Sequence, residues 1–279
     1  MFPAHTPEKA LRDLARSWQR ERRRVLRDPE PEAVHRLRTV TRRLETGASI
    51  ATALLGLAGT VPWSDWDGLK LKLSRLRDLD VTSQLLRETQ SHLGTEVEAL
   101  RRRIKRLNHE RARARRRAVA MLRRRRTRRI ARALKHPATP TSVPDLMLAA
   151  QAWWRTAAGQ LAGEPAWLYS LAEALRLKAG RKEVHDVRIQ VRELRYGLEW
   201  WNRLGLAAAS PVVAFLQDAQ DALGQIRDYQ RAGEQLVGPE FRRARAVVAA
   251  MRAKQLARWP LVAEGCKLLG SSPFGAPRG

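Results

Sequence analysis

Apolar residues recur every three or four positions along most of this chain, and strand-like alternation is scarce. The pattern predicts a helix that starts at Thr6-Pro7-Glu8, runs to about Arg27 and stops at Asp28-Pro29-Glu30-Pro31. A second helix is expected over roughly 31–56, and a third follows the turn at Gly59 to Ser64 and ends near Ser91. From Thr95 the apolar positions Leu100, Ile104, Leu107, Ala114, Ala118 and Leu122 trace one stripe, which predicts a single long helix to about residue 135. His136 to Pro144, with three prolines among Thr and Ser, reads as a linker. Apolar helices near 145–162 and 166–179 follow, then segments near 181–204, 211–235 and 239–269 and a Gly-, Pro- and Ser-rich end. The class is all-α.

Composition turns this pattern into a folded, basic protein. Of 279 residues, 44% are hydrophobic and nine are Trp, too many for a disordered basic tail. Lone Cys266 has no intramolecular partner, which suits a reducing, cytoplasmic setting. Residues 1–20 carry charges throughout, unlike a secretory leader. The longest apolar stretch, Leu204 to Leu216, contains Pro211 and is too short to span a bilayer.

The formal charge of +26 points to a polyanionic partner, and it is unevenly spread. Residues 101–135 hold 18 Lys or Arg against one acid, Glu110, a net +17 that leaves +9 for the rest. So basic a helix repels itself unless anions gather around it, although a solvated, screened face is the alternative. Arg outnumbers Lys 45 to 9, and a planar guanidinium fork suits phosphate; genome composition would give the same bias.

The second half of the chain repeats the first. Residues 34–86 laid over 184–236 give 12 identities in 53 positions without a gap, against roughly four from average composition. His35, Arg38 and Arg42 fall on His185, Arg188 and Arg192, and Arg77-Asp78 falls on Arg227-Asp228. The i, i+3, i+7 spacing puts each histidine and its arginines on one helical face, extended in the second copy by Arg195. The apolar stripe Leu37, Thr41, Leu44, Ala48 and Ala51 points roughly 120° away. One histidine alone fits a structural imidazole. Two with the same arginine spacing fit an anion-binding row, in which arginine gives permanent charge and histidine a donor that titrates near neutrality. Asp78 and Asp228 fit carboxylates that orient neighbouring arginines.

These residues resemble the CHAD family of histidine-containing α-helical domains. Val34-His35-Arg36-Leu37-Arg38 with Thr41-Arg42-Arg43-Leu44 resembles its first motif, and Val184-His185-Asp186-Val187-Arg188 with Arg192, Leu194, Arg195 and Tyr196 resembles the second. Arg77 to Val81 and the stretch Leu216 to Asp228 resemble the segments that follow each. The resemblance covers roughly residues 7–265. It implies two four-helix bundles, residues 1–140 and 141–279, related by a pseudo-twofold axis with a basic groove or pore between them that binds inorganic polyphosphate. The ligands it implies are His35, Arg38, Arg42, Arg43, Arg77, His185, Arg188, Arg192, Arg195 and Arg227. Glu45, Gln190 and Glu193 depart from the pattern, which expects basic residues there; these sites would tighten ion pairs or shorten the groove.

The function expected is therefore non-catalytic binding of polyphosphate, used to target or organise polyphosphate granules. The alternative is a nucleic-acid-binding protein that uses residues 101–135, although that stretch has no aromatic residue for stacking bases. Trp153-Trp154 and Trp200-Trp201 stand in apolar company and are expected in the core. An enzyme is not expected: there is no Gly-rich phosphate loop, the acids are scattered pairs, and the histidines are too dispersed for a zinc site. No cofactor and no membrane anchor is predicted.

Overall fold

A computed structural model describes residues 6–55, 63–93, 98–133, 145–162, 181–206 and 211–257. Helices account for nearly all of it. They are α1 (Pro7–Arg27), α2 (Pro31–Leu55), α3 (Trp63–Ser91), α4 (Glu98–Arg123), α5 (Arg125–Ala133), α6 (Leu146–Ala162), α7 (Arg181–Arg203), α8 (Pro211–Glu234) and α9 (Arg242–Leu256), with a 3-10 turn at Pro239–Phe241. No strand occurs among the described residues. The all-α expectation holds, and most boundaries agree to within one or two residues. The helix expected at 166–179, the linker at 136–144, the start at Thr95 and Cys266 lie outside the described residues.

Two expectations about helices change. The basic segment is not one helix but two, α4 and α5, interrupted at Arg124. Arg123 to Arg126 are four consecutive exposed arginines, so the stretch has no apolar side chain to hold it on the core. Buried Thr127 then turns its hydroxyl back to the Met121 carbonyl, at 2.9 Å, as the chain resumes in α5. The segment expected at 239–269 begins with the 3-10 turn, and α9 is described only to Leu256.

Local chemistry explains the ends. Thr6 Oγ1 accepts from the Lys9 N–H at 3.3 Å and caps α1. Gly205, at φ 75°, closes α7. There the Leu206 N–H reaches the Trp201 carbonyl and the Gly205 N–H reaches that of Asn202, the paired bonds of a glycine-terminated helix.

In the first half α1 packs on α2, α2 on α3, α3 on α4, and α4 back on α1. In the second, α6 packs on α7, α7 on α8, and α8 on α9. The halves meet through α2 against α7 and α3 against α8, each a pair of helices equivalent under the sequence repeat. The stripe Leu37, Thr41, Leu44, Ala48 and Ala51 is buried as the pattern requires, and so is the apolar stripe of α4. Trp18 stacks at a tilt on Trp66 with centroids 5.5 Å apart, and its indole N–H donates to Thr41 Oγ1 at 3.0 Å. Trp154, Trp200 and Trp201 are buried, and Trp153 packs against the same core.

Gly47 lets α2 approach α7: a Cβ there would come within 2.6 Å of Trp200 Cε3. Trp200 is buried and has nowhere to retreat. Gly47→Ala is therefore expected to lower unfolding stability by about 1–3 kcal/mol, the usual range for overpacking, despite alanine's better helix propensity. Denaturant titration followed by helical circular dichroism measures it; unchanged stability would mean that the helices close without this gap.

Candidate functional site

The helices that join the halves carry the histidine–arginine rows. α2 presents His35, Arg38 and Arg42 beside its buried stripe, and α7 presents His185 and Arg188. α3 adds Lys70, Ser74, Arg77 and Asp78, while α8 adds Gln220, Arg227, Asp228 and Arg231. Together they line one cavity of about 570 Å³. Seven sequence-predicted residues thus meet: His35, Arg38, Arg42, Arg77, His185, Arg188 and Arg227.

Arg192, nearly buried at 7% exposure, faces a neighbouring cavity of about 380 Å³ that shares Arg42 and Lys70 with the first. Its charge is felt by Arg38, Arg42 and Arg188. Arg43 and Arg195 are not in the main cavity wall. Both pair with Glu199: Arg43 through Nε at 2.6 Å and Nη2 at 3.1 Å, and Arg195 through Nη1 at 3.3 Å. Arg195 also donates to Gln217 and Gln220, and both guanidiniums lie over the Tyr196 ring, at 5.7 Å and 4.7 Å. The resemblance implies both as anion ligands; in the structure Glu199 engages their guanidiniums outside that wall.

The cavity is unbalanced in charge. Its wall holds seven Lys or Arg against four Asp, before the histidines are counted. Burial, then neighbouring arginines, push Arg42 and Arg188 down to about 10, so both remain charged at neutral pH. For Arg42 the largest like-charge neighbour is Arg192, across the interface between halves. His35 is held below the ordinary histidine value by burial and then by Arg77; His185 is held down by burial and then by Arg227. Nδ1 of both histidines and Nε of Arg42, Arg188 and Arg227 are buried with no hydrogen-bond partner. Buried donors in that state cost free energy until an acceptor arrives. The arrangement suits a ligand rich in anionic oxygens.

The carboxylates act on the arginines. Asp78 pairs with Arg231 of the other half, as its expected orienting role requires. Burial, then the nearby Asp78 charge, raise Asp228 to about 6, against the pull of Arg231, Arg77 and Arg188. Glu45 pairs with Lys70 and lies 3.8 Å from Arg42, and Glu193 lies 3.3 Å from Arg192. At these departures from the family pattern, the acids tighten ion pairs along the smaller cavity.

The sequence signals missed Lys70, Ser74 and Arg231. Ser74 accepts from Arg38 Nε at 3.3 Å. Arg231 stands four residues after Arg227, and Lys70 seven before Arg77, so helical spacing alone would have found them. Alignment of the halves hid both, because Val81 and Gln220 occupy the matching positions.

The CHAD domain model matches residues 9–237. Among solved structures, the chain is similar to the CHAD domain from the plant Ricinus communis, with 19% identity, a TM-score of 0.65, and coverage of 96% of this chain and 93% of that one. It is also similar to PptA from Streptomyces chartreusis, again at 19% identity, with a TM-score of 0.66 and coverage of 96% and 100%. No curated protein sequence matches the chain. The chain belongs to the CHAD family. No helix among the described residues is long and apolar enough to cross a membrane.

Asp228 yields a test of the electrostatics. Its carboxyl sits near 6 in the folded state and near the ordinary 3.9 when unfolded, so folding favours the protonated form. Stability is then lost as pH rises from about 4 through 6, and the full penalty holds above that. Asp228→Asn is expected to stabilise the ligand-free protein at pH 8 by on the order of 1–3 kcal/mol and to give no gain at pH 4. Equal gains in denaturation measured at both pH values would contradict it.

Proposed function

We propose that this CHAD protein binds inorganic polyphosphate without turning it over. The observation that carries the proposal is the single cavity in which both histidine–arginine rows meet, with a surplus of cations and, among its buried nitrogens without a partner, the Nε donors of Arg42, Arg188 and Arg227. Each phosphate along a linear chain offers anionic oxygens, so a site written twice can engage successive groups and gain from multivalency. His35, Arg38, Arg42, Arg77, His185, Arg188 and Arg227 are the direct ligands, and Arg192 adds charge from the adjoining cavity. Arg43 and Arg195 brace α2 and α7 through Glu199.

In the same proposal each half of the chain, about 1–140 and 141–279, is one four-helix unit, and the two are related by a pseudo-twofold axis. The pairing of α2 with its repeat-equivalent α7, and of α3 with α8, supports it. The cavity carboxylates Asp78 and Asp228 lie among arginines, which suits orientation of guanidiniums rather than assembly of a phosphoryl-transfer site. In the cell the module targets or organises polyphosphate granules.

Long-chain polyphosphate should bind far more tightly than orthophosphate, with no orthophosphate released in the presence of Mg²⁺. Calorimetry and a phosphate assay measure the two, and equal affinities would sink the proposal. His185→Ala with Arg188→Ala should weaken long-chain binding by tenfold or more, as about 1.4 kcal/mol of lost charge-assisted bonding dictates. The helical spectrum should be unchanged.

The histidines and Asp228 together set the pH dependence. The histidine values are depressed in the free protein, and a bound polyanion raises them, so binding takes up protons. Affinity for long chains should therefore rise as pH falls from 8 towards 6. His35→Asn with His185→Asn should reduce that rise to the part that Asp228 contributes, and an unchanged slope would exclude the imidazoles as a source.

A further inference from the structure

A second basic concavity lies between α3 and α4, and the two cavities share one residue, Leu71. The outer one encloses about 560 Å³. Its cations are Lys72 and Arg75 from α3 and Arg113 and Arg117 from α4, with Glu110 its one acid. The geometry of α3 explains how one helix serves both. At roughly 100° per residue, Lys70, Ser74 and Arg77 share the face towards the central cavity, while Lys72, Arg75 and Leu79 share a face roughly 160° round the helix. Leu71 stands on the edge between them and is 69% exposed, unusually open for a leucine in a helix whose other leucines are mainly core.

Charge in the outer groove is available to a ligand. Glu110 is already divided between Arg75, at 3.4 Å, and Arg103, at 3.9 Å. Arg113 and Arg117 are exposed and stand one helical turn apart, and the floor beneath them is apolar, from Leu79 and Ala114. No aromatic residue lines the groove, so it offers phosphate-binding guanidiniums and no platform for bases.

We propose that the α3–α4 groove is an outer subsite for the same polyphosphate chain, which leaves the central cavity across Leu71 and lies against Lys72, Arg75, Arg113 and Arg117. The inference rests on polyphosphate binding in the central cavity. It gives the arginine-rich helix a defined role, in which short chains fill the central cavity alone and long chains occupy both. Chain-length preference is then set outside the histidine–arginine rows. Towards the smaller cavity, Lys70 and Arg42 are engaged by Glu45, and Arg192 by Glu193, which favours exit over Leu71.

The test compares Arg113→Gln/Arg117→Gln with the native protein, using long-chain polyphosphate and tripolyphosphate as probes. Long-chain affinity should fall by about tenfold, and the log–log salt slope should drop by about 1.4 for two lost contacts, as for a single-stranded polyanion. Tripolyphosphate affinity should stay within twofold. Arg125→Gln/Arg129→Gln, an exposed pair at the same spacing on α5 and outside the groove, should leave long-chain affinity within twofold. Unchanged long-chain binding in the groove variant would overturn the subsite. So would an equal loss in the α5 variant, since attraction would then be diffuse, or a parallel loss for tripolyphosphate. Absence of any polyphosphate binding by the native protein would instead overturn the central-cavity function itself.

Discussion

Mutual repulsion among the cations at the contact between halves is the constraint to which the rest of the fold answers. Arg38 and Arg42 on α2 and Arg188 and Arg192 on α7 sit close together, and burial and then the Arg192 charge lower Arg38, Arg42 and Arg188. Nothing in their own chemistry holds those helices together. The apolar faces must do so: Leu37, Leu44, Ala48 and Ala51 on α2, and Val187, Val191, Leu194 and Leu198 on α7, all buried. Burying aliphatic side chains at about 1.5–3 kcal/mol each is enough to oppose several partly screened like-charge contacts. Gly47, which admits the Trp200 ring, belongs to the same requirement, because it brings the backbones close enough for those faces to pack.

Carboxylates supply the second counterweight, and their placement decides which cations stay free. Glu199 holds Arg43 and Arg195 together across the α2–α7 contact, Asp78 holds Arg231 across the α3–α8 contact, and Glu45 holds Lys70. Each of these bonds ties a cation to a helix at the interface. Arg42, Arg188 and Arg227 keep buried Nε donors without a partner. Binding and folding therefore compete for the same side chains: every added acid would stabilise the empty protein and remove a donor from the cavity. Asp228, raised to about 6, marks the limit, where even a carboxylate among arginines is held partly neutral by burial and by Asp78.

How much of this was legible in the sequence follows from the range of each interaction. Helical periodicity is local, so the α2 and α4 stripes and the two histidine–arginine rows could be read directly, and the repeat fixed which rows belong together. The break at Arg124 was also local, but arginine is a good helix former and the run Arg123 to Arg126 carries no Gly or Pro, so it reads as continuous helix. The fate of Arg43 was not legible. Its spacing matches a ligand as well as a brace, and the carboxylate that claims it lies 156 residues away in sequence. Arg231 and Lys70 were missed for a different reason: identity between the halves was the filter, and each has an unlike counterpart.

That last point bears on why the halves have diverged where they have. On α3 the extra cation, Lys70, precedes Arg77 by two turns; on α8 the extra cation, Arg231, follows Arg227 by one. The histidines and the arginines that flank them match in both copies, whereas the outer charges do not. A linear polyphosphate reads the same from either end, so it presents the same oxygens whichever way it enters. Such a ligand needs matched donors at the centre, where two halves grip adjacent groups. It places no demand that the two exits match, and one exit can then be closed by Glu45 and Glu193 while the other opens past Leu71 towards α4. A polymer with direction, such as a nucleic acid, would distinguish those exits. Asymmetry laid over a duplicated centre is thus better suited to a chain without polarity.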